Sequence, residues 1–145
     1  MKKIVCTTFA ALFLFAVLVP CVSVLASSSS VSYSFVMEKR NVDGWKNGHS
    51  FSLPAGNASI SGYISSEPID ITATADPYVV HYSLNKKGFL GLFTTGYGTV
   101  TGPAFGYFSG AFDSVPAGDR YYLDIWKSAV DGWRNTGYGE VIVTY

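Results

Sequence analysis

The chain has 145 residues, two cysteines and ten basic side chains balanced by ten acidic ones. With no net charge, it lacks the bulk electrostatics that draw proteins to nucleic acid, so that class of partner is excluded. The length suits one hydrophobic core and is too short for two ordinary domains.

The chain opens with Met1, Lys2 and Lys3, followed by an apolar run from Ile4 to Val19 interrupted only by Thr7 and Thr8. Pro20 then leads to Val24, Leu25 and Ala26. A positive start, an apolar stretch and a small residue at its end predict a secretory signal over residues 1–26, cleaved near Ala26, and an extracellular product. The apolar run falls short of the ~20 residues that a membrane-spanning helix needs, which leaves a retained anchor as the minor alternative. Lipid attachment at Cys21 is disfavoured because Pro20 stands where a small residue is required. Cleavage would remove both Cys6 and Cys21, leaving no disulfide and no thiolate for catalysis or metal binding. It would also remove Lys2 and Lys3, so that eight basic side chains face ten acidic ones.

Residues 27–32 are Ser-rich and predict a flexible spacer, with the domain running from 33 to 145. From Tyr33 onward, short runs of β-branched and aromatic residues alternate with Gly, Pro, Asn and Asp, and no stretch sustains a helical period. The expected strands are Tyr33 to Lys39, His49 to Leu53, Ala58 to Ser65, Ile69 to Ala75 and Tyr78 to Asn85. They continue with Gly98 to Thr101, Phe105 to Phe112, Arg120 to Lys127 and Glu140 to Tyr145, with a further short strand possible around Leu92. In the clearest case Tyr121, Leu123 and Ile125 share one face while Asp124 and Trp126 share the other. So many short strands in one domain predict an all-β fold, a single antiparallel β-sandwich of jelly-roll type.

Three pairs of segments echo each other. YSFVMEKRNVDGWKN (Tyr33 to Asn47) aligns without gaps on YYLDIWKSAVDGWRN (Tyr121 to Asn135), identical at seven of fifteen positions. SLPAG at Ser52 returns as SVPAG at Ser114, and TGYGTV at Thr95 returns as TGYGEV at Thr136. Their spacings differ, which rules out a tandem array. The economical expectation is a pseudo-symmetric pair of hairpins that brings both VDGW tips to one end of the domain.

An indole beside Asp, Asn and a basic residue on a loop is a composition that suits sugars. C–H faces stack on the ring, and hydroxyls bond to the carboxylate and amide. The candidate binding residues are therefore Trp45, Asp43, Lys46 and Asn47 in the first copy, and Trp133, Asp131, Arg134 and Asn135 in the second. The competing expectation is that both indoles only close the end of the sandwich. Gly88 to Phe112 is dense in Gly and aromatics and is the candidate for membrane contact, as in an antagonistic, membrane-active factor.

Catalytic signals are weak. His49 and His81 lie in no nucleophile or metal spacing, and two or three oxygen ligands per loop fall short of a calcium shell, so no cofactor or metal is expected. The Asn57-Ala58-Ser59 sequon matters only in a eukaryotic secretory pathway. The leading expectation is a secreted, non-enzymatic module that binds an extracellular glycan or protein. An enzyme acting on a polymer through paired carboxylates comes last.

Overall fold

The computed structural model describes residues 26–145; the expected signal, apart from Ala26, lies outside the described residues. Nine strands follow in chain order: β1 Ser28–Met37, β2 Asn41–Asp43, β3 Phe51–Leu53, β4 Gly56–Pro68, β5 Val80–Lys87, β6 Thr94–Gly102, β7 Gly106–Val115, β8 Gly118–Trp126 and β9 Trp133–Thr144. One sheet has the order β1-β9-β4-β7 and the other β2-β8-β5-β6, with β3 also paired to β8. All the pairings are antiparallel. The chain crosses between sheets at β1–β2, β3–β4, β4–β5, β6–β7, β7–β8 and β8–β9, which is the interleaving of a jelly roll. Among the described residues no helix is long and apolar enough to cross a membrane.

Alternation decides what is buried. Tyr121, Leu123 and Ile125 of β8, and Val80, Tyr82 and Leu84 of β5, point between the sheets. There they meet Phe35 and Met37 of β1, Ile60 and Ile64 of β4, and Val141 and Val143 of β9. With each strand contributing every second residue, the sheets share one continuous core.

The structure corrects three expectations. The Ser-rich stretch is the first half of β1, not a spacer: Ser28 to Ser32 pair with Thr144 to Glu140, and Ser27 and Tyr145 exchange both backbone hydrogen bonds. Pairing along β9 satisfies the backbone whatever the side chains, so serine composition does not prevent a strand. Ile69 to Ala75 form turns instead of a strand, because the Asp70 carboxylate accepts from the Thr72 N–H and hydroxyl, both at 2.8 Å, and leaves Ile71 fully exposed. Around Leu92 there is a 3₁₀ turn, Phe89–Gly91, leading into β6.

The echoes resolve differently from one another. Both PAG segments follow a buried apolar residue, Leu53 or Val115, and lead into the next strand on the opposite sheet. At Gly56 a Cβ would collide with the Thr144 carbonyl, so the corner needs glycine for the close approach. The TGYG pair diverges. A bulge in β6, with Gly98 at φ +96°, turns Tyr97 inward against Tyr121, whereas Tyr138 in regular β9 points outward.

Candidate functional site

Neither VDGW segment is the tip of a hairpin: the first begins in β2, just past the crossing from β1, and the second lies in the sheet-crossing corner between β8 and β9. In each, the inward residues correspond, Tyr33, Phe35 and Met37 in β1 against Tyr121, Leu123 and Ile125 in β8. The corners touch where the Lys127 N–H donates to the Arg40 carbonyl at 2.9 Å. Beyond that contact they part. The first copy turns back along β8, so that Asp43 pairs with Asp124 and Trp45 packs on Tyr122 with ring centroids 6.1 Å apart. The second copy stays in the corner after β8. The two indoles are therefore drawn apart along β8, Trp45 packed on Tyr122 and Trp133 in the corner beyond Trp126, positions on β8 that stand roughly 13 Å apart at the strand rise. The expected pairing of the tips at one end does not occur.

The second copy is a structural lock. Lys127 is fully buried, and its ammonium donates to Asp131 Oδ1 at 2.5 Å, the Trp133 carbonyl at 2.8 Å and Asn135 Oδ1 at 2.8 Å. Asp131 also accepts from the Trp133 and Tyr78 N–H groups, and Asn135 donates to Ser66 Oγ, which donates to the Ala104 carbonyl. Burial alone would raise the Asp131 carboxyl. The Lys127 ammonium and the two N–H donors outweigh it and hold the group below the usual carboxylate range. The Trp133 indole donates to the Thr74 carbonyl at 2.9 Å, edge-on to Phe105. Arg134 lies on the outer face of the other sheet, bonded to Glu38 and Glu67. Asp131, Asn135, Trp133 and Arg134 are thus committed to holding the fold.

The first copy lies open on the outer face of the β2-β8-β5-β6 sheet. Asp43 Oδ1 accepts from the Trp45 and Lys46 N–H groups at 3.0 and 3.2 Å, and the Lys46 ammonium stands 3.7 Å from Asp43 Oδ2. Gly44 makes this possible. It passes so near the Leu123 carbonyl that a Cβ would sit 2.6 Å from its oxygen. Asn47 is exposed beside this turn.

Sequence reasoning missed the rest of this face. Antiparallel register places Asn41 beside Trp126, Trp126 beside His81 and His81 beside Thr101 across four strands. His81 stacks on Trp126 with centroids 4.1 Å apart and an interplanar angle of 27°, and its Nδ1 lies 2.9 Å from Thr101 Oγ1. The Trp126 indole N–H donates to Ser83 Oγ at 3.2 Å, and Ser83 bonds Thr99 at 2.8 Å. One row along, Asp124 faces Asp43 and receives a long contact from the Asn41 amide at 3.5 Å. Partial burial, then the Asp43 charge, raise its carboxyl above the usual range. Two half-buried indoles, Trp45 and Trp126, therefore flank an acidic centre, with a groove of about 390 Å³ lined by Arg40, Asn41, Asp124 and Trp126 at one end. The alternation of Asp124 and Trp126 opposite Leu123 and Ile125 was the signal that could have found it.

The Gly88 to Phe112 segment is not one patch. Val100 and Phe112 are in the core, Phe108 stacks on Tyr82, Phe105 meets Trp133, and Tyr107 joins Tyr63 on the outer face of the first sheet. Among the described residues no cluster of three or more His, Cys, Asp and Glu side chains is arranged to hold a metal ion.

No family model matches this chain, and no curated protein does. Among solved structures, similarity is found to a chain in a structure of infectious bursal disease virus, Gx strain, at 11% identity and a TM-score of 0.25. The match covers 82% of this chain and 40% of the viral one, and at that score it carries no argument about function.

Proposed function

We propose that the protein is an extracellular, non-enzymatic binding module that takes a glycan chain along the outer face of the β2-β8-β5-β6 sheet. The observation that carries this reading is the row Trp45, Asp124, Trp126. Its two indoles are held at fixed angles, one by Tyr122 and the other by His81 and Ser83, on either side of a carboxylate. Rings locked by packing lose little freedom when a sugar stacks on them, and Asp124, Asn41 and Asp43 supply acceptors and donors for hydroxyl groups. Export rests on the Met1 to Ala26 pattern.

The experiment is binding of the mature chain to an array of neutral and acidic oligosaccharides, repeated with Trp126→Ala and Trp45→Ala. Binding that weakens by roughly tenfold in each variant supports the reading, by the size of an aromatic contact. Oligosaccharide binding untouched by both substitutions, or none by the wild type, defeats it.

A hydrolytic reading has one observation in its favour, the opposed Asp43 and Asp124 carboxyls with Asp124 raised. Against it, Asp43 is engaged by two N–H groups and Lys46. Incubation of the same oligosaccharides with the protein separates the two, since release of shorter products requires the enzyme.

A further inference from the structure

The loop joining β5 to β6 gathers four exposed apolar side chains in one short stretch. Phe89, Leu90, Leu92 and Phe93 are 80, 72, 72 and 75% exposed. A soluble surface seldom leaves four large apolar side chains this bare in five consecutive residues. Nor is the loop loose. The Gly88 N–H bonds the Phe93 carbonyl at 2.9 Å, the Gly91 N–H bonds the Gly88 carbonyl at 3.0 Å, and the Arg120 guanidinium donates to that same carbonyl at 3.1 Å. Leu90 is held at φ +61°, a conformation that a side-chain-bearing residue adopts at a cost.

Cations gather at the base of this apex. Lys86 and Lys87 immediately precede it, and their ammonium groups lie over the rings of Tyr121 and Tyr122, at 4.8 and 5.9 Å. Among the described residues neither has a carboxylate partner; Lys87 bonds only the Thr94 hydroxyl. Arg120 stands beside Asp119 at 3.8 Å, so Lys86, Lys87 and Arg120 at the base of the apex have one carboxylate in contact among them. None of the apex side chains is buried, which suits a fluid apolar layer better than a shaped protein pocket, and the adjoining cations suit anionic headgroups.

We propose that the Gly88–Phe93 apex inserts into the surface of an anionic lipid bilayer, with Lys86, Lys87 and Arg120 against the headgroups. The apolar tip supplies the insertion and the cations select the charge, so binding weakens as salt rises. Trp45 borders the apex, its Cζ2 lying 3.8 Å from the position of a Cβ on Gly91, so the indole reports the insertion.

The test is co-sedimentation of the mature chain with phosphatidylcholine vesicles, with and without phosphatidylglycerol, at low and high salt, with tryptophan emission recorded alongside. The expected result is binding to the phosphatidylglycerol vesicles, loss of most of it at high salt and a blue-shifted emission. Phe89→Ser combined with Leu92→Ser alters only exposed side chains; it is expected to melt like the wild type and bind at least about tenfold more weakly. Trp126→Ala keeps its vesicle binding, which separates this inference from the glycan face. Absence of wild-type binding, equal binding to both vesicle types, or binding unchanged in the double variant each overturns the proposal. So does a lipid-free dimer that the double variant abolishes, since a second copy of the chain would then be what covers the tip.

Discussion

Lys127 and Asp131 form an ion pair with both side chains fully excluded from solvent, four residues apart and 2.5 Å from nitrogen to oxygen. Every ammonium proton has an acceptor, and the carboxylate has donors besides the lysine, so the desolvation cost is offset by a complete set of hydrogen bonds. The pair also ties the β8–β9 corner to the β4–β5 connection, through Tyr78 and through the Thr74 N–H bond to the Asp131 carbonyl.

Lys127→Met leaves the Asp131 carboxylate buried without its counter-ion and is expected to cost roughly 3–5 kcal/mol of stability. Urea unfolding measures it, and a loss under about 1 kcal/mol would show that the network can be dismantled cheaply. The pH dependence has a definite sign. The folded carboxyl lies below its unfolded value, so its stabilisation is complete above that unfolded value, near about 3.9, and fades as pH falls through the lower folded one. Lys127→Met removes the ammonium that depresses the carboxyl, so the acid limb of the stability curve moves to higher pH.

Tyr82 presents the opposite case. Its ring packs well, stacked on Phe108 at 4.5 Å and edge-on to Phe35 at 5.9 Å, but its hydroxyl is buried with no partner among the described residues. Burial, then the neighbouring Tyr33, push its phenol well above the usual range. Tyr82→Phe keeps the ring contacts and removes the unpaired group, so a gain of about 1 kcal/mol is expected. Tyr121→Phe is the control, because it loses a bond to the Pro116 carbonyl at 2.5 Å and should destabilise by a similar amount. Thermal melts that order the two variants the other way refute the assignment.

Much of the sandwich was legible because alternation is a local property. Leu123 and Ile125 against Asp124 and Trp126 announce the strand and its buried face together. Failures came where a tertiary partner overrode local composition. Ser28 to Ser32 are strand because β9 supplies their hydrogen bonds, and Ile69 to Ala75 are not, because Asp70 captures Thr72. The identical VDGW tetrads could not disclose that Lys127 would be buried while its counterpart Lys39 stays exposed. That difference arises because only the second corner has the β4–β5 connection packed over it. The proposed glycan face was half visible: Asp43, Trp45 and Lys46 were singled out on composition, while Trp126 and Asp124 became its centre through the register of β2 and β5 on β8.

Gly62 and Gly139 are direct cross-strand partners in β4 and β9, and the Tyr33 hydroxyl lies against both. A Cβ at Gly139 would overlap the Ser61 carbonyl and approach the Gly62 Cα to 2.6 Å, both backbone positions that cannot move independently of the sheet. Gly139→Ala is therefore expected to destabilise by about 1–3 kcal/mol. Gly48→Ala meets nothing within 4 Å but sits at φ +74°, so its smaller loss isolates the backbone contribution. Equal melting temperatures for Gly139→Ala and wild type would show that the paired glycines are not needed for packing.

The raised Asp124 carboxyl predicts a conflict between stability and binding. Partial burial and the opposed Asp43 make its charged form unfavourable in the folded state, so the native protein holds this proton more tightly than the unfolded chain does. By linkage, the cost is present at neutral pH and is relieved as pH falls through the raised folded value toward the unfolded one. Asp124→Asn should accordingly raise neutral-pH stability by a few tenths of a kcal/mol, a gain kept small by the solvent that reaches the site. The same substitution removes the anionic acceptor between Trp45 and Trp126, so under the proposed function glycan affinity is expected to fall by roughly tenfold, the worth of a hydrogen bond to a charged group. Wild-type affinity should decline with acidification earlier than an ordinary aspartate would allow, and Asp124→Asn should flatten that profile. Titration calorimetry across the acidic range, paired with urea melts, tests both halves. If Asp124→Asn binds as the wild type does at neutral pH, the carboxylate is not part of the recognition surface and the stabilising effect stands alone.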